Sequence, residues 1–412
     1  MDPKLQKKYA AIQEAVNELN TMRFKDIDGC VKYRGLGFDL WYTSLIVNME
    51  INRDIPKEYV KKRLVKKLSD PSVSTLTPAY IYEKTEEIVT EYQQFRRRKF
   101  VLATDIQLPS EFPYKRISIL DNIIKFGGAS DPEYYQRTID HHILEKLPPP
   151  DSNFRRVRAY ITARGEEEAF QNGLNTLNVF RALFNLFISN QSVTILESEL
   201  SFKPQCYACN GPYYFLEQVD GESDTKIYFQ SEFRSEVRKL NNIATKLSDP
   251  SKLRSFFRKA KRSVGQVEEM SYILDRYITV LDSRSYDDAF LRLWSVLELV
   301  TNTSGAGFSH EKTVKRASAI YQDRKKAEYL LNSMKYIRNQ FVHNNLSQDI
   351  SSLIMGQLKN TVENHILELL GSIVNVTRLE DYGKFLDLAS TGDDLEQKKR
   401  WLQLIMKRRQ II

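Results

Sequence analysis

From about residue 232 to the end of the chain, apolar residues recur at helical spacing almost without a break. The segment 287–300 is the clearest case. Its apolar residues fall at Phe290, Leu293, Trp294, Leu297 and Val300, three or four apart, which is one stripe along one face of a helix. Such a face has to be buried against another element, so a succession of striped segments predicts packed helices. The pattern predicts helices over 232–247, 253–282, 287–300, 312–321, 326–343 and 350–376.

The earlier part of the chain mixes periods. Helical spacing predicts helices over 5–22, 56–68 and 80–98, with the turn-rich stretch 69–78 separating the last two. Strand patterns follow over 100–106 and 115–119 and, after Pro148-Pro149-Pro150, over 155–161, where Val157, Ala159 and Ile161 alternate with bulkier residues. Segment 166–187 carries a helical face of Ala169, Leu174, Leu177, Phe180, Leu183, Phe184 and Phe187. Short strands are predicted at 193–196, 213–219 and 226–229, the last two joined by a hairpin at Asp220-Gly221-Glu222-Ser223. A chain of 412 residues exceeds one core. The expected fold class is α+β: a mixed N-terminal domain over 1–235, then an all-α helical bundle over 236–412, with the boundary near 231–250.

Composition removes several classes. No apolar run approaches the ~20 residues that cross a bilayer, and the first residues lack the apolar core of a secretory signal. A cytoplasmic protein without membrane partners is expected. Three cysteines do not make a disulfide framework. Cys206-Tyr-Ala-Cys209 has the spacing of half a zinc site, but no second pair exists and none of the five histidines is near in sequence, so a turn with two ordinary cysteines is expected and no metal or cofactor.

The formal charge of +8 points to an anionic partner. The cations cluster beside aromatics: Arg96-Arg97-Arg98-Lys99 between Phe95 and Phe100; Lys252, Arg254, Arg258, Lys259, Lys261 and Arg262 around Phe256 and Phe257; and Lys398-Lys399-Arg400-Trp401 followed by Lys407-Arg408-Arg409. Phosphates on cations and bases on rings suit single-stranded nucleic acid. Solvated helix faces with buried rings are the plainer expectation for any one cluster.

One short run carries chemistry: Arg338-Asn339-Gln340-Phe341-Val342-His343. Arg keeps its charge at any working pH, whereas His titrates near neutrality. A fixed cation beside a proton carrier suits phosphodiester cleavage. At about 100° per residue, Asn339 and His343 share a helix face, but Arg338 and His343 point roughly 140° apart. Either the helix ends or bends near Phe341, or a second copy completes the site across a two-fold axis. Asn344-Asn345 favours a helix end. His310, His365 and the His141-His142 pair beside Asp140 are expected to lie outside this chemistry, the pair in a surface or capping role.

The helix "LRLWSVLELV", the downstream "KYIRNQFVHNN" and the long helix after it resemble, in that order, the HEPN superfamily, most closely its Apea-like group. The resemblance covers the last third of the chain. It implies an all-α HEPN bundle and a metal-independent endoribonuclease with Arg338, Asn339 and His343 as catalytic positions. It also implies Glu298, on the first helix, as a support for Arg338 through an ion pair, and a homodimer formed through this domain. RNA would be cut by 2′-hydroxyl attack. Proteins of this plan act as effectors or toxins in anti-phage defence and abortive infection, so the first domain would respond to a phage-derived trigger or a regulatory protein. Two other readings accompany it: a HEPN module that binds RNA or nucleotide without cutting, and a regulatory partner of a nucleotidyltransferase.

Overall fold

The computed structural model describes residues 3–35, 37–49, 51, 55–109, 112–129, 132–147, 153–190, 206–219, 225–230, 247, 249–267, 269–283, 285–304, 309–344, 352–371, 376–388, 396, 399–400 and 402–403. They form a mixed α+β structure. The predicted strand at 193–196, the helix predicted at 232–247 apart from Leu247, and the 220–223 turn lie outside them. By contacts the chain divides into two compact units: Met1–Leu102, Tyr160–Leu174 and Phe215–Lys226 in one, and Ala103–Ala159, Asn175–Tyr214 and Ile227–Ile412 in the other.

The strands are β1 (Arg23–Lys25), β2 (Val31–Tyr33), β3 (Arg98–Gln107), β4 (Arg116–Ile119), β5 (Asn122–Ala129), β6 (Phe154–Ala163), β7 (Asn210–Gln218) and β8 (Lys226–Phe229). β1 and β2 form a two-stranded hairpin, and the others a six-stranded sheet in the order β4-β5-β6-β3-β7-β8. β4 and β5 pair antiparallel with Ile119 opposite Asn122. The intervening Leu120 and Asp121 both have positive φ, 49° and 62°. A two-residue turn of that handedness matches the twist of the strands it joins.

In the first unit, α1 (Pro3–Met22), α2 (Phe38–Asn48), α3 (Lys57–Leu68) and α4 (Pro78–Gln94) share a core that includes Val16, Leu19, Leu45, Leu64, Ile81 and Ile88. Arg23 ties the 69–76 turn region shut by donating to the carbonyls of Asp70 at 2.6 Å and Val73 at 2.5 Å. Helix α7 (Glu166–Asn190) begins here. At its Gly173 an added Cβ would lie 2.8 Å from Leu102 and 2.9 Å from Ile161, so only glycine allows the helix this close to β3 and β6.

The second unit holds α5 (Pro132–Thr138), α6 (His141–Lys146), the later part of α7, and then α8 (Pro250–Gln266), α9 (Met270–Leu281), α10 (Tyr286–Val300), α11 (His310–Ser318), α12 (Arg324–Asn344), α13 (Ser352–Leu370) and α14 (Leu379–Leu386). The helix predicted over 253–282 is two helices, because Val267 takes an extended conformation. The stripe read from 287–300 is the buried face of α10: Phe290, Leu293, Trp294, Leu297 and Val300 are all at most 1% exposed.

Polar knots fix these helices. Buried Arg181 of α7 donates to Ala208 O at 2.6 Å, Asn178 Oδ1 at 2.9 Å, Cys206 Sγ at 3.3 Å and Asp282 Oδ1 at 2.6 Å. Asn185 of α7 donates to Tyr277 Oη of α9 at 2.8 Å, and that hydroxyl donates to Glu363 of α13. Arg316 of α11 grips Asp387 with two bonds of 2.9 and 2.7 Å and donates to the carbonyls of Thr301 and Asn302. A buried cation is tolerated only when its donors are met in this way.

His365 of α13 is fully buried, with Nε2 donating to Ala317 O at 3.0 Å and Nδ1 accepting from Tyr382 Oη at 2.8 Å. Burial pushes its imidazole down to about 4 from an ordinary 6.5. The unfolded chain takes up this proton near pH 6.5 and the folded one only near 4. Stability is therefore lost as pH falls through that window, by ~3 kcal/mol. Urea unfolding at pH 7 and pH 4.5 should show a smaller acid loss for His365→Asn than for the unsubstituted protein.

Candidate functional site

Helix α12 is unbroken from Arg324 to Asn344. The bend near Phe341, one of the two ways for Arg338 and His343 to converge, is not present. Leu331, Met334 and Phe341 form the buried stripe of this helix. Phe341 packs on Phe290 of α10 with ring centroids 6.2 Å apart. Arg338, four residues past Met334 and three before Phe341, stands on that stripe and is half-buried. Its Nη1 donates to Asn339 Oδ1 at 3.3 Å.

The backbone of His343 belongs to α12, and its side chain lies outside the described atoms. Along a continuous helix its backbone position lies roughly 140° around the axis from that of Arg338. It comes seven residues after Tyr336 and fourteen after Tyr329, so the three share a line along the helix. Tyr329 is 83% exposed and Tyr336 60%. With Asn332, Ser333 and Ile337 they line a shallow apolar depression of about 490 Å³.

Glu298 has partners other than Arg338. It accepts from Trp294 Nε1, one turn back on α10, at 2.8 Å, and from His310 Nδ1 at 2.9 Å. The carboxylate is 18% exposed and the imidazole 32%. His310 is the first residue of α11, and its ring stands edge-on to Trp294 with centroids 6.2 Å apart. Ser309 caps this helix by accepting from Lys312 N. The next residue, Glu311, pairs with Lys335 of α12 at 3.2 Å. Its own backbone amide and Lys335 hold the Glu311 carboxyl below the usual range. Nothing in sequence spacing announces the Glu298–His310 pair, because the two residues lie on either side of the 301–309 loop.

The basic cluster of α8 splits by face. Arg258, Lys259, Lys261 and Arg262 are exposed, as are Lys252 and Arg254. The rings turn inward: Phe257 is buried and lies 6.0 Å from Phe180, while half-buried Phe256 lies 5.6 Å from Phe187. The cations therefore stand on a solvated face above buried rings, the plainer of the two expectations for this cluster, and not on an aromatic platform. At the 96–99 cluster Phe100 is likewise buried, whereas Phe95 is 44% exposed. Most of the C-terminal cluster lies outside the described residues.

Cys206 is buried beside Arg181, and Cys209 Sγ donates to Cys206 O at 3.2 Å. Burial pushes the Cys206 thiol up. Among the described residues no three His, Cys, Asp or Glu side chains gather as a metal site. Asp140 occupies the N-cap position of α6 without a side-chain cap bond, and the side chains of His141 and His142 lie outside the described atoms.

Substituting Glu298→Ala leaves the Trp294 indole N–H and the His310 ring without their acceptor. This should destabilise the fold by ~1–3 kcal/mol, read from the denaturant midpoint. Glu298→Gln, which keeps an acceptor oxygen, should lose less. No protein-family model, curated protein or solved structure matches this chain.

Proposed function

We propose that the chain is a metal-independent endoribonuclease of the HEPN kind, acting as a homodimer. The observation that carries this reading is the placement of Arg338 on α12: half-buried on the stripe of Met334 and Phe341, bonded to Asn339, with His343 five residues further along the same unbroken helix. The helix order around it is the one on which the family resemblance rests, and the stripe of α10 read from that sequence is buried.

The chemistry follows from the residues. His343 takes the proton of a ribose 2′-hydroxyl, and the oxygen attacks the adjacent phosphorus. Arg338 neutralises the charge that grows on the non-bridging oxygens. Asn339 orients Arg338 through its Oδ1. The products are a 2′,3′-cyclic phosphate and a 5′-hydroxyl. The need for a 2′-hydroxyl makes the substrate RNA. A two-fold axis brings His343 of one protomer to Arg338 of the other. The cations of α8 hold the RNA backbone. In the cell the enzyme serves as an effector or toxin in anti-phage defence, released by a phage-derived trigger or a regulatory protein.

A second reading, RNA binding without cleavage, draws on α8 alone. Among the described residues Arg254, Arg258, Lys259, Lys261 and Arg262 make no ion pair, and five free cations on one helix bind phosphates whether or not a cut follows.

Arg338→Ala and His343→Ala should each lower cleavage of single-stranded RNA by about 10²–10⁴ and abolish growth arrest on expression, with dimer mass unchanged. Equal toxicity in all three proteins rejects the enzyme. Joint substitution Arg258→Glu and Lys261→Glu should weaken RNA binding and reduce the slope of log affinity against log salt by about 2, leaving kcat at saturating RNA near its original value.

A further inference from the structure

The reaction proposed above moves two protons, one off the 2′-hydroxyl and one onto the departing 5′-oxygen. A single His343 at the scissile bond can serve only one of these at a time. The structure holds a second imidazole beside the motif helix. His310 Nδ1 is 2.9 Å from a Glu298 carboxylate that is itself anchored by Trp294 Nε1. With Nδ1 donating to this carboxylate, the ring orientation is fixed and Nε2 is left as the working nitrogen. Among the described residues Nε2 has no hydrogen-bond partner, and the ring is a third exposed.

Three contacts place this pair along α12. Phe290 of α10 meets Phe341 near one end of the motif. Glu298, two turns further along α10, meets His310. Glu311, the residue after His310, meets Lys335. Arg338 lies between Lys335 and Phe341, four residues after buried Met334 and three before buried Phe341, and is half-buried on that stripe. His343 lies five residues further along the same helix, a rotation of roughly 140° about its axis.

Resting on the ribonuclease reading, we infer that His310, oriented by Glu298, is a further catalytic residue: the general acid that acts with Arg338 of its own protomer. The partner's copy of the motif supplies the base. The 2′-oxygen–phosphorus bond forms as its proton passes to the imidazole of that base. The phosphorus–5′-oxygen bond breaks as His310 Nε2 gives its proton to the leaving oxygen. Arg338 holds the non-bridging oxygens throughout. The Glu298 carboxylate offsets the charge of the proton-loaded His310 ring, and solvent returns both imidazoles to their starting states.

The test uses the full-length protein and two oligonucleotides: all-RNA, and the same RNA with sulfur replacing the 5′-bridging oxygen at the cut site. A thiolate leaves without being protonated. On the oxygen substrate His310→Ala should be slower by about 10²–10⁴, losing the limb of the pH–rate profile that the acid supplies. On the sulfur substrate it should approach the unsubstituted rate, while Arg338→Ala and His343→Ala stay slow on both. His310→Gln keeps an amide donor for Glu298 and should behave as His310→Ala does, so a folding loss is separated from a chemical one. If His310→Ala and His310→Gln remain slow on the sulfur substrate, the acid role is wrong. If they cut the oxygen substrate within about threefold of the original rate while Arg338→Ala and His343→Ala are inactive, the inference falls and the ribonuclease stands. If the unsubstituted protein cuts neither substrate, the ribonuclease reading itself fails and takes this role with it.

Discussion

An α-helix that keeps its hydrogen bonds from Arg324 to Asn344 cannot bring side chains five positions apart to one point. That constraint shapes everything proposed for this molecule. Phe341 against Phe290, with Met334 and Leu331 beneath, fixes which way α12 is turned. Once it is turned that way, Arg338 stands on the buried stripe, half-buried, while Tyr329 and Tyr336 are exposed. The site proposed for Arg338 and His343 is therefore one assembled from two copies of the helix.

The scaffold under α12 is held by polar bonds as much as by apolar packing. Arg181 and Arg316 each bury a guanidinium and satisfy it with carbonyls and a carboxylate. Arg181 fixes α7 against the Cys206–Cys209 turn and the end of α9. Arg316 joins α11 to the loop after α10 and to α14. Removing one partner of such a group strands a charge in a dry interior, so each arrangement specifies one geometry more strictly than apolar contacts do. Gly383 belongs to the same logic: an added Cβ would lie 2.6 Å from Arg316 Nη1. Positioning the start of α11, and with it His310, is the consequence that matters for the site.

Long amphipathic elements were legible before any coordinates. The face of α10 from Phe290 to Val300 and the face of α7 from Ala169 to Phe187 announce themselves by spacing, because burying one side of a long helix leaves a periodic trace. Elements set by local backbone geometry were not. β5 hides because the turn before it uses Leu120 and Asp121 at positive φ in place of the Asn-Gly or Asp-Gly that signals a hairpin. Short helices α5 and α6 have too few turns to show a period, and α2 is apolar nearly all round, so no single stripe stands out. At the site, Arg338, Asn339 and His343 were singled out from sequence together with their angular conflict. The true partners of Glu298 were not, because the Trp294 bond is local while the His310 bond depends on how a loop returns. The rings of α8 turn inward beneath its exposed cations, the plainer expectation for such a cluster, although composition alone does not tell which face of the helix each residue occupies.

Mixing two dead proteins measures the central claim directly. Each homodimer of Arg338→Ala or of His343→Ala lacks one half of both sites. Subunit exchange creates heterodimers in which one composite site keeps an intact Arg338 from one protomer and an intact His343 from the other. The account predicts that RNA cleavage returns, to about one quarter of the unsubstituted rate, since half the dimers are mixed and each has one working site. A mixture that exchanges subunits, as shown by native mass, yet stays as inactive as its parents would contradict it.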